Sequence, residues 1–164
     1  MMSENLLEEY YKKSVAYRDR LKEHTEENFR TYLGTIQKFA PDSACILEIG
    51  CGSGFSSFII SREGYKVIGS DLSHLFLDKS YQQKGRENLQ FVVSNATKLS
   101  FKNDSFDVVS SSAVIEHIEF VEEALREIIR VTKKQGIIII AGPNLLSPFL
   151  ASKRLLKRIL FKRK

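Results

Sequence analysis

Cysteine, proline and histidine are scarce in this 164-residue sequence, at two, three and three copies. Cys45 and Cys51 lie across what reads as one strand and its following turn. A disulfide would have to fold that strand back, and a metal site would lack further Cys or closely spaced His ligands, so both read as small, reduced residues of a cytoplasmic protein. No apolar run approaches the roughly 20 residues that span a bilayer. The first nine residues, Met1 to Glu9, are acidic and hold no apolar signal segment, so export is not expected. Acidic residues are missing from 128–164, which carry 10 Lys/Arg, whereas 1–127 carry 15 Lys/Arg against 20 Asp/Glu. The basic balance therefore belongs to the tail, and a general nucleic-acid-binding surface is not expected.

What is present is the composition of a soluble globular domain, 43% hydrophobic and 27% charged, at a length that suits one domain. Leu6, Leu7, Tyr10, Tyr11 and Val15 predict a helix within residues 3–22. Phe29, Tyr32, Leu33, Ile36 and Phe39 predict a second from about Thr25 to Phe39, stopped by Pro41-Asp42. From Ala44 onward, short apolar runs alternate with helical segments. Strands are expected at Cys45–Ile49, Lys66–Ser70, Leu89–Val93, Phe106–Ser110 and Gly136–Ala141, and helices at about Gly54–Arg62, Ser73–Gln83 and Phe120–Lys133. The last helix should bury Val121, Leu125, Ile128 and Ile129 opposite Glu122, Glu123, Arg126 and Glu127. Ile137–Ile140 is apolar on both faces, as a central parallel strand covered by helices must be. The alternation predicts a doubly wound α/β sheet.

The chemistry concentrates where the first strand runs into a helix through Gly50-Cys51-Gly52-Ser53-Gly54. Glycine permits positive φ and lets a ligand approach the backbone, and the following helix offers unpaired N–H donors. In doubly wound sheets such turns hold ligands beyond the carboxyl ends of strands. A dinucleotide fold prefers Gly-x-Gly-x-x-Gly, and here the third position is Phe55. Glu48 is awkward beside a pyrophosphate but suits a cofactor with a cationic end, and the chain lacks the Gly-Lys-Ser/Thr of a phosphate loop. Asp71, ending the second strand, can accept both hydroxyl hydrogens of a ribose. It could instead cap a helix, although Ser73 stands ready for that task.

These residues resemble the small-molecule branch of class I S-adenosylmethionine-dependent methyltransferases, of the methyltransferase 11 domain type. The likeness runs from about Ala44 to Asn144. It is carried in order by Leu47–Gly54, Gly69-Ser70-Asp71-Leu72-Ser73, Asn95-Ala96-Thr97, Ser105–Val109 leading to Glu116-His117-Ile118, and Arg126–Gly136. The resemblance implies a Rossmann-like sheet of order 3-2-1-4-5 and S-adenosylmethionine as cofactor. It implies that Gly50, Cys51, Gly52 and Gly54 shape the loop around the methionine moiety, with Glu48 meeting its amino group. Asp71 and Leu72 would face the ribose side, Asn95 and Ala96 the adenine, and Ser112 would complete the cofactor site. Asn95 stands where the family more often has Asp, and Lys134-Gln135 where it often has Pro-Gly.

His117 falls where the family places acceptor-side residues, and an imidazole titrates in the range useful to a general base. The plain alternative is a histidine that orders its loop. His24 and His74 read as surface residues. Residues 1–40 are expected to form a helical cover or lid, 41–146 the cofactor-binding core, and 147–164 a basic amphipathic segment. Leu155, Leu156, Ile159 and Leu160 share one side of that segment, of which residues 149–164 could touch an anionic membrane surface or be the cut end of a longer chain. Family members usually continue with two more strands, which are expected to be absent here. Three functions follow: a methyltransferase acting on a small-molecule acceptor of lipid, quinone or glycan-precursor type, a non-catalytic cofactor-binding module or fragment, and an NAD-dependent oxidoreductase.

Overall fold

Cys45-Ile46-Leu47-Glu48-Ile49 offers no polar face to water, so it can only be a strand with both sides covered. In the computed structural model, which describes residues 26–73 and 86–142, it takes the centre of a five-stranded sheet. The described elements are α1 (Glu26–Phe39), β1 (Cys45–Ile49), α2 (Phe55–Arg62), β2 (Lys66–Asp71), β3 (Leu89–Val93), β4 (Phe106–Ser112), a 3-10 turn (Ile115–His117), α3 (Val121–Val131) and β5 (Thr132–Ala141). The strand order is β3-β2-β1-β4-β5 with every pair parallel, the doubly wound order expected. The helix expected at 3–22, all of that expected at Ser73–Gln83 beyond its first residue, His24, His74 and the segment 147–164 lie outside the described residues.

Strand alternation divides the core in two. Ile46, Val67, Val108 and Ile139 pack with Tyr32 and Ile36 of α1 and Ile60 of α2. Leu47, Ile49 and Val109 point the other way and pack with Ile128 and Val131 of α3, Leu99 and Phe106. At about 25 cal/mol per Å² of apolar surface removed from water, these two layers supply the main drive to fold. The parallel register sets Ile49 beside Ser70 on one side and Ser111 on the other, so three carboxyl ends finish level.

Several expectations need correction. Phe39 is half exposed, with the Lys38 ammonium over its ring, so the buried stripe of α1 stops at Ile36. On α3 the buried residues are Ala124, Ile128 and Val131, at i, i+4 and i+7, while Ile129 is 63% exposed. Glu127 does not face outward with Glu122 and Glu123, because its carboxylate accepts the Leu99 N–H at 2.7 Å. β5 is no central strand among the described residues. It ends the strand order, and Ile138 and Ile140 are 40% and 46% exposed because α3 covers β1 and β4 instead. β5 also starts earlier than Gly136. Thr132 already pairs with Phe106, and the register then jumps to Val108 beside Ile137, leaving Lys133–Gly136 as a bulge. β2 and β4 run past Ser70 and Ser110 to Asp71 and Ser112, because pairing with Val93 and Ala141 continues to their polar ends.

Candidate functional site

Beyond the level strand ends the chain crosses in a tight turn. Gly50, Gly52 and Gly54 all have positive φ, at 69°, 55° and 82°. Gly50 N–H and Cys51 N–H both donate to the Ser70 carbonyl, at 2.7 and 3.0 Å, binding the turn to β2. The Gly54 N–H donates to the Cys51 carbonyl at 2.9 Å, and Gly54 then opens α2 by accepting the Phe58 N–H. A Cβ at Gly50 would collide with the Val114 side chain, and one at Gly54 would stand 2.5 Å from the Phe91 ring. Gly50→Ala therefore combines a left-handed backbone with overpacking, and should cost roughly 2–5 kcal/mol. Urea unfolding checks this; an unchanged midpoint would show that Val114 yields freely.

Asp71 joins this turn from 19 positions away. Its Oδ2 accepts the Gly52 N–H and its Oδ1 the Ser73 N–H, each at 2.9 Å. The turn-holding role of Asp71 is thus present, yet a carboxylate has about four acceptor positions, so both oxygens keep capacity for hydroxyl donors. Burial raises the Asp71 pKa, and N–H donation from Ser73, Gly52 and Leu72 opposes that. Leu72 follows as an exposed apolar side chain. The Ser94 N–H donates to the Asp71 carbonyl at 2.9 Å and brings the loop after β3 alongside. There Asn95 Oδ1 accepts both the N–H and the hydroxyl of Thr97, while Ala96 packs on the second core cluster.

Glu48 lies one layer beneath the turn and is only 2% exposed. It faces α1 and α2, where the Ser57 hydroxyl donates to Oε2 and the hydroxyls of Ser56 and Tyr32 approach. Burial raises its pKa, and these hydroxyl donors pull it back down. Among the described residues no cation lies within ion-pair distance of it. Tyr32 Oη stands near Glu48 and Ser110 without completing a hydrogen bond of good geometry; burial first, then the Glu48 charge, push its pKa up. The Cys51 thiol is buried and pushed up likewise. Both cysteines are free.

On the other flank, Ser112 ends β4 half-buried, and Ala113 takes a φ of 56° while its N–H donates to the Ala141 carbonyl. The chain then enters the 3-10 turn, where His117 is exposed and its N–H donates to the Val114 carbonyl. Ser94 Oγ, just past β3, and Ser111 Oγ, near the end of β4, are buried without a hydrogen-bond partner among the described residues. Unpaired polar atoms of this kind are costly and suit a site that a ligand completes. By contrast, the cleft lined by Pro41, Asp107, Lys133, Gln135, Gly136 and Ile137 sits at the amino ends of β4 and β5, with its Lys133–Asp107 pair already closed at 2.7 Å.

The structure therefore brings together the glycine turn, Asp71, Leu72 and the Asn95-Ala96 loop. Ser112 and His117 stand on the flank made by β4. Glu48 sits below, held from the opposite side by hydroxyls. Sequence reading missed Val114 and Phe91, which make glycine obligatory, and the Tyr32, Ser56 and Ser57 hydroxyls around Glu48. Ser56 and Ser57 in the first turn of the helix after the glycines were the available signal.

The methyltransferase domain family matches residues 47–140. Demethylmenaquinone methyltransferase of Thermobifida fusca is 33% identical over 98 residues, covering 58% of this chain and 42% of that protein. Ubiquinone biosynthesis O-methyltransferase of Pelagibacter ubique is 31% identical over 101 residues, covering 60% and 42%. The solved structure of the YcgJ protein of Bacillus subtilis superposes with a TM-score of 0.63 at 29% identity, covering 75% of this chain and 55% of that one. The matched part spans about two-fifths of the length of these two curated relatives.

Proposed function

The chain belongs to the methyltransferase domain family of class I S-adenosylmethionine-dependent enzymes, and on that premise we propose that it binds S-adenosylmethionine and transfers its methyl group to a small-molecule acceptor. The observation that carries the proposal is the hydrogen bond from Gly52 N–H to Asp71, which sets a ribose-binding carboxylate against a glycine cradle. The residues fit the cofactor. Gly50, Cys51, Gly52 and Gly54 form a turn, its glycines at positive φ, whose backbone would curve around its methionine portion, and Glu48 supplies a negative charge that no described cation neutralises. Asp71 and Leu72 serve the ribose and one face of the base, Asn95 and Ala96 serve its edge, and Ser112 closes the flank. An NAD reading fits less well: the third glycine position holds Phe55, whose ring packs 5.6 Å from that of Phe29.

When bound, S-adenosylmethionine supplies an electrophilic methyl group on a sulfonium. The chain's own work is to hold acceptor and methyl in line and to keep water out, an alignment that can account for roughly 7–11 kcal/mol of a barrier. His117, exposed beside the end of β4, takes a proton from an oxygen acceptor as general base. The quinone-related names of the two curated relatives support a quinol-type or related lipid acceptor.

The experiment is methyl transfer assayed by S-adenosylhomocysteine release against a panel of quinol, lipid and glycan-precursor acceptors. Turnover with at least one is expected, and His117→Ala should lower it by about 100-fold or more. Undiminished turnover in the variant would remove the base role. A chain that binds the cofactor but turns over nothing on the panel would favour the non-catalytic reading.

A further inference from the structure

Between β3 and β4 the chain carries no regular structure except an isolated bridge between Asn95 and Lys98. Its shape must then come from side chains, and most of the bonds converge on one residue of α3. Arg130 donates from Nε to Glu127 Oε1 at 2.6 Å and from Nη2 to Glu127 Oε2 at 2.7 Å. Its Nη1 donates to the Phe101 carbonyl and to Asn103 Oδ1, each at 2.8 Å, and Nη2 donates again to the Leu99 carbonyl at 2.9 Å. A guanidinium has five N–H donors in a fixed fork, and five acceptors are met here. Glu127 completes the closure by accepting the Leu99 N–H at 2.7 Å. The backbone runs on in the same grip, with Asp104 N–H on the Arg130 carbonyl and Ser105 N–H on the Val131 carbonyl.

The other end of this loop begins at the site. Ser94 N–H is bonded to the Asp71 carbonyl, and Ala96, Leu99 and Phe101 pack with Ile49 in the second core cluster. The loop is thus strung between Asp71 and Arg130. Resting on the cofactor reading above, we propose that Arg130, with Glu127, is the positioning residue for the adenosine side of the site: its fork fixes loop 94–104 and thereby sets cofactor affinity without touching the cofactor. Ordering the loop in advance removes a cost that binding would otherwise meet.

The test pairs amide hydrogen exchange with calorimetry on the 164-residue chain. In Arg130→Ala the amides of residues 98–104 should exchange faster. The dissociation constant for S-adenosylhomocysteine should rise by roughly 5- to 150-fold. The loss should be equally large for 5′-methylthioadenosine, which keeps the adenosine but lacks the amino acid. Arg130→Lys should not rescue either readout, because an ammonium cannot span the five acceptors. Unchanged exchange in the loop, or faster exchange with unchanged affinity, overturns the proposal. So does a loss confined to the amino-acid-bearing ligand. If Arg130→Ala does not fold, Glu127→Gln is read in the same way, with effects of the same sign. A wild-type chain that does not bind removes the cofactor reading and the coupling with it; wild type and variant binding equally well sinks the coupling alone.

Discussion

Asp71→Ala is expected to weaken S-adenosylhomocysteine binding by roughly a hundredfold or more, since hydrogen bonds to a charged group contribute about 1.5–3 kcal/mol each and a ribose offers two. The substitution also strips the Gly52 and Ser73 amides of their acceptor, at 2.9 Å each, so the glycine turn itself should loosen. Asp71→Asn should not rescue. An amide can accept one of those N–H groups through its oxygen, but must then present its NH2 to the other. A pH dependence accompanies this. Burial raises the Asp71 pKa, so protonation begins at a higher pH than for an ordinary aspartate. Cofactor affinity should therefore fall on acidification, starting above the usual carboxylate range. Isothermal titration across pH checks both points, and an affinity flat with pH would count against Asp71 as the ribose acceptor.

Glu48→Gln should have two effects of opposite sign. Its carboxylate is buried, its pKa is raised by that burial, and no described cation faces it. A group whose pKa is raised on folding contributes stability below its unfolded value, about 4.3 for Glu, and loses it as pH rises through the folded value. Above that folded value the wild-type chain bears a buried charge that glutamine avoids. The amide can still accept the Ser57 hydroxyl through its oxygen. The ligand-free variant should melt a few degrees higher. Its advantage over wild type should grow as pH rises from the ordinary glutamate range through the raised folded value. Cofactor affinity should meanwhile fall by about tenfold or more, because the cationic amino group loses its partner. Thermal melts and titration on the same samples decide the matter. A variant that melts lower, or an advantage that shrinks with rising pH, would contradict the buried-charge account. Such a trade of stability against binding is what a charge retained for a ligand should show.

Much of the fold was legible because its signal is local. Cys45–Ile49 and Leu89–Val93 are bounded by turn residues, and both strands have the limits their sequence suggests. The order 3-2-1-4-5 came from the family likeness rather than from any single run. What was not legible depends on partners distant in sequence. Ile129 carries the same apolar signal as Ile128, and only the pull of Glu127 and Arg130 toward Leu99, Phe101 and Asn103 turns Ile129 outward. The tetra-isoleucine run read as a doubly covered strand, but being apolar on both faces does not reveal a position in the sheet, and β5 lies at the edge of the described part. At the site, the glycines and Asp71 were visible from residue type and spacing. The hydroxyls around Glu48 were not, because Tyr32 reaches it from α1 and Ser57 from α2, and only folding sets them together.

The most direct test of the account is calorimetric titration of the folded chain with S-adenosylhomocysteine, S-adenosylmethionine and NAD in parallel. The turn held by Asp71, with Glu48 beneath it, predicts saturable one-to-one binding of the first two and no binding of NAD. Binding of NAD without S-adenosylhomocysteine, or no heat from any of the three, would contradict it.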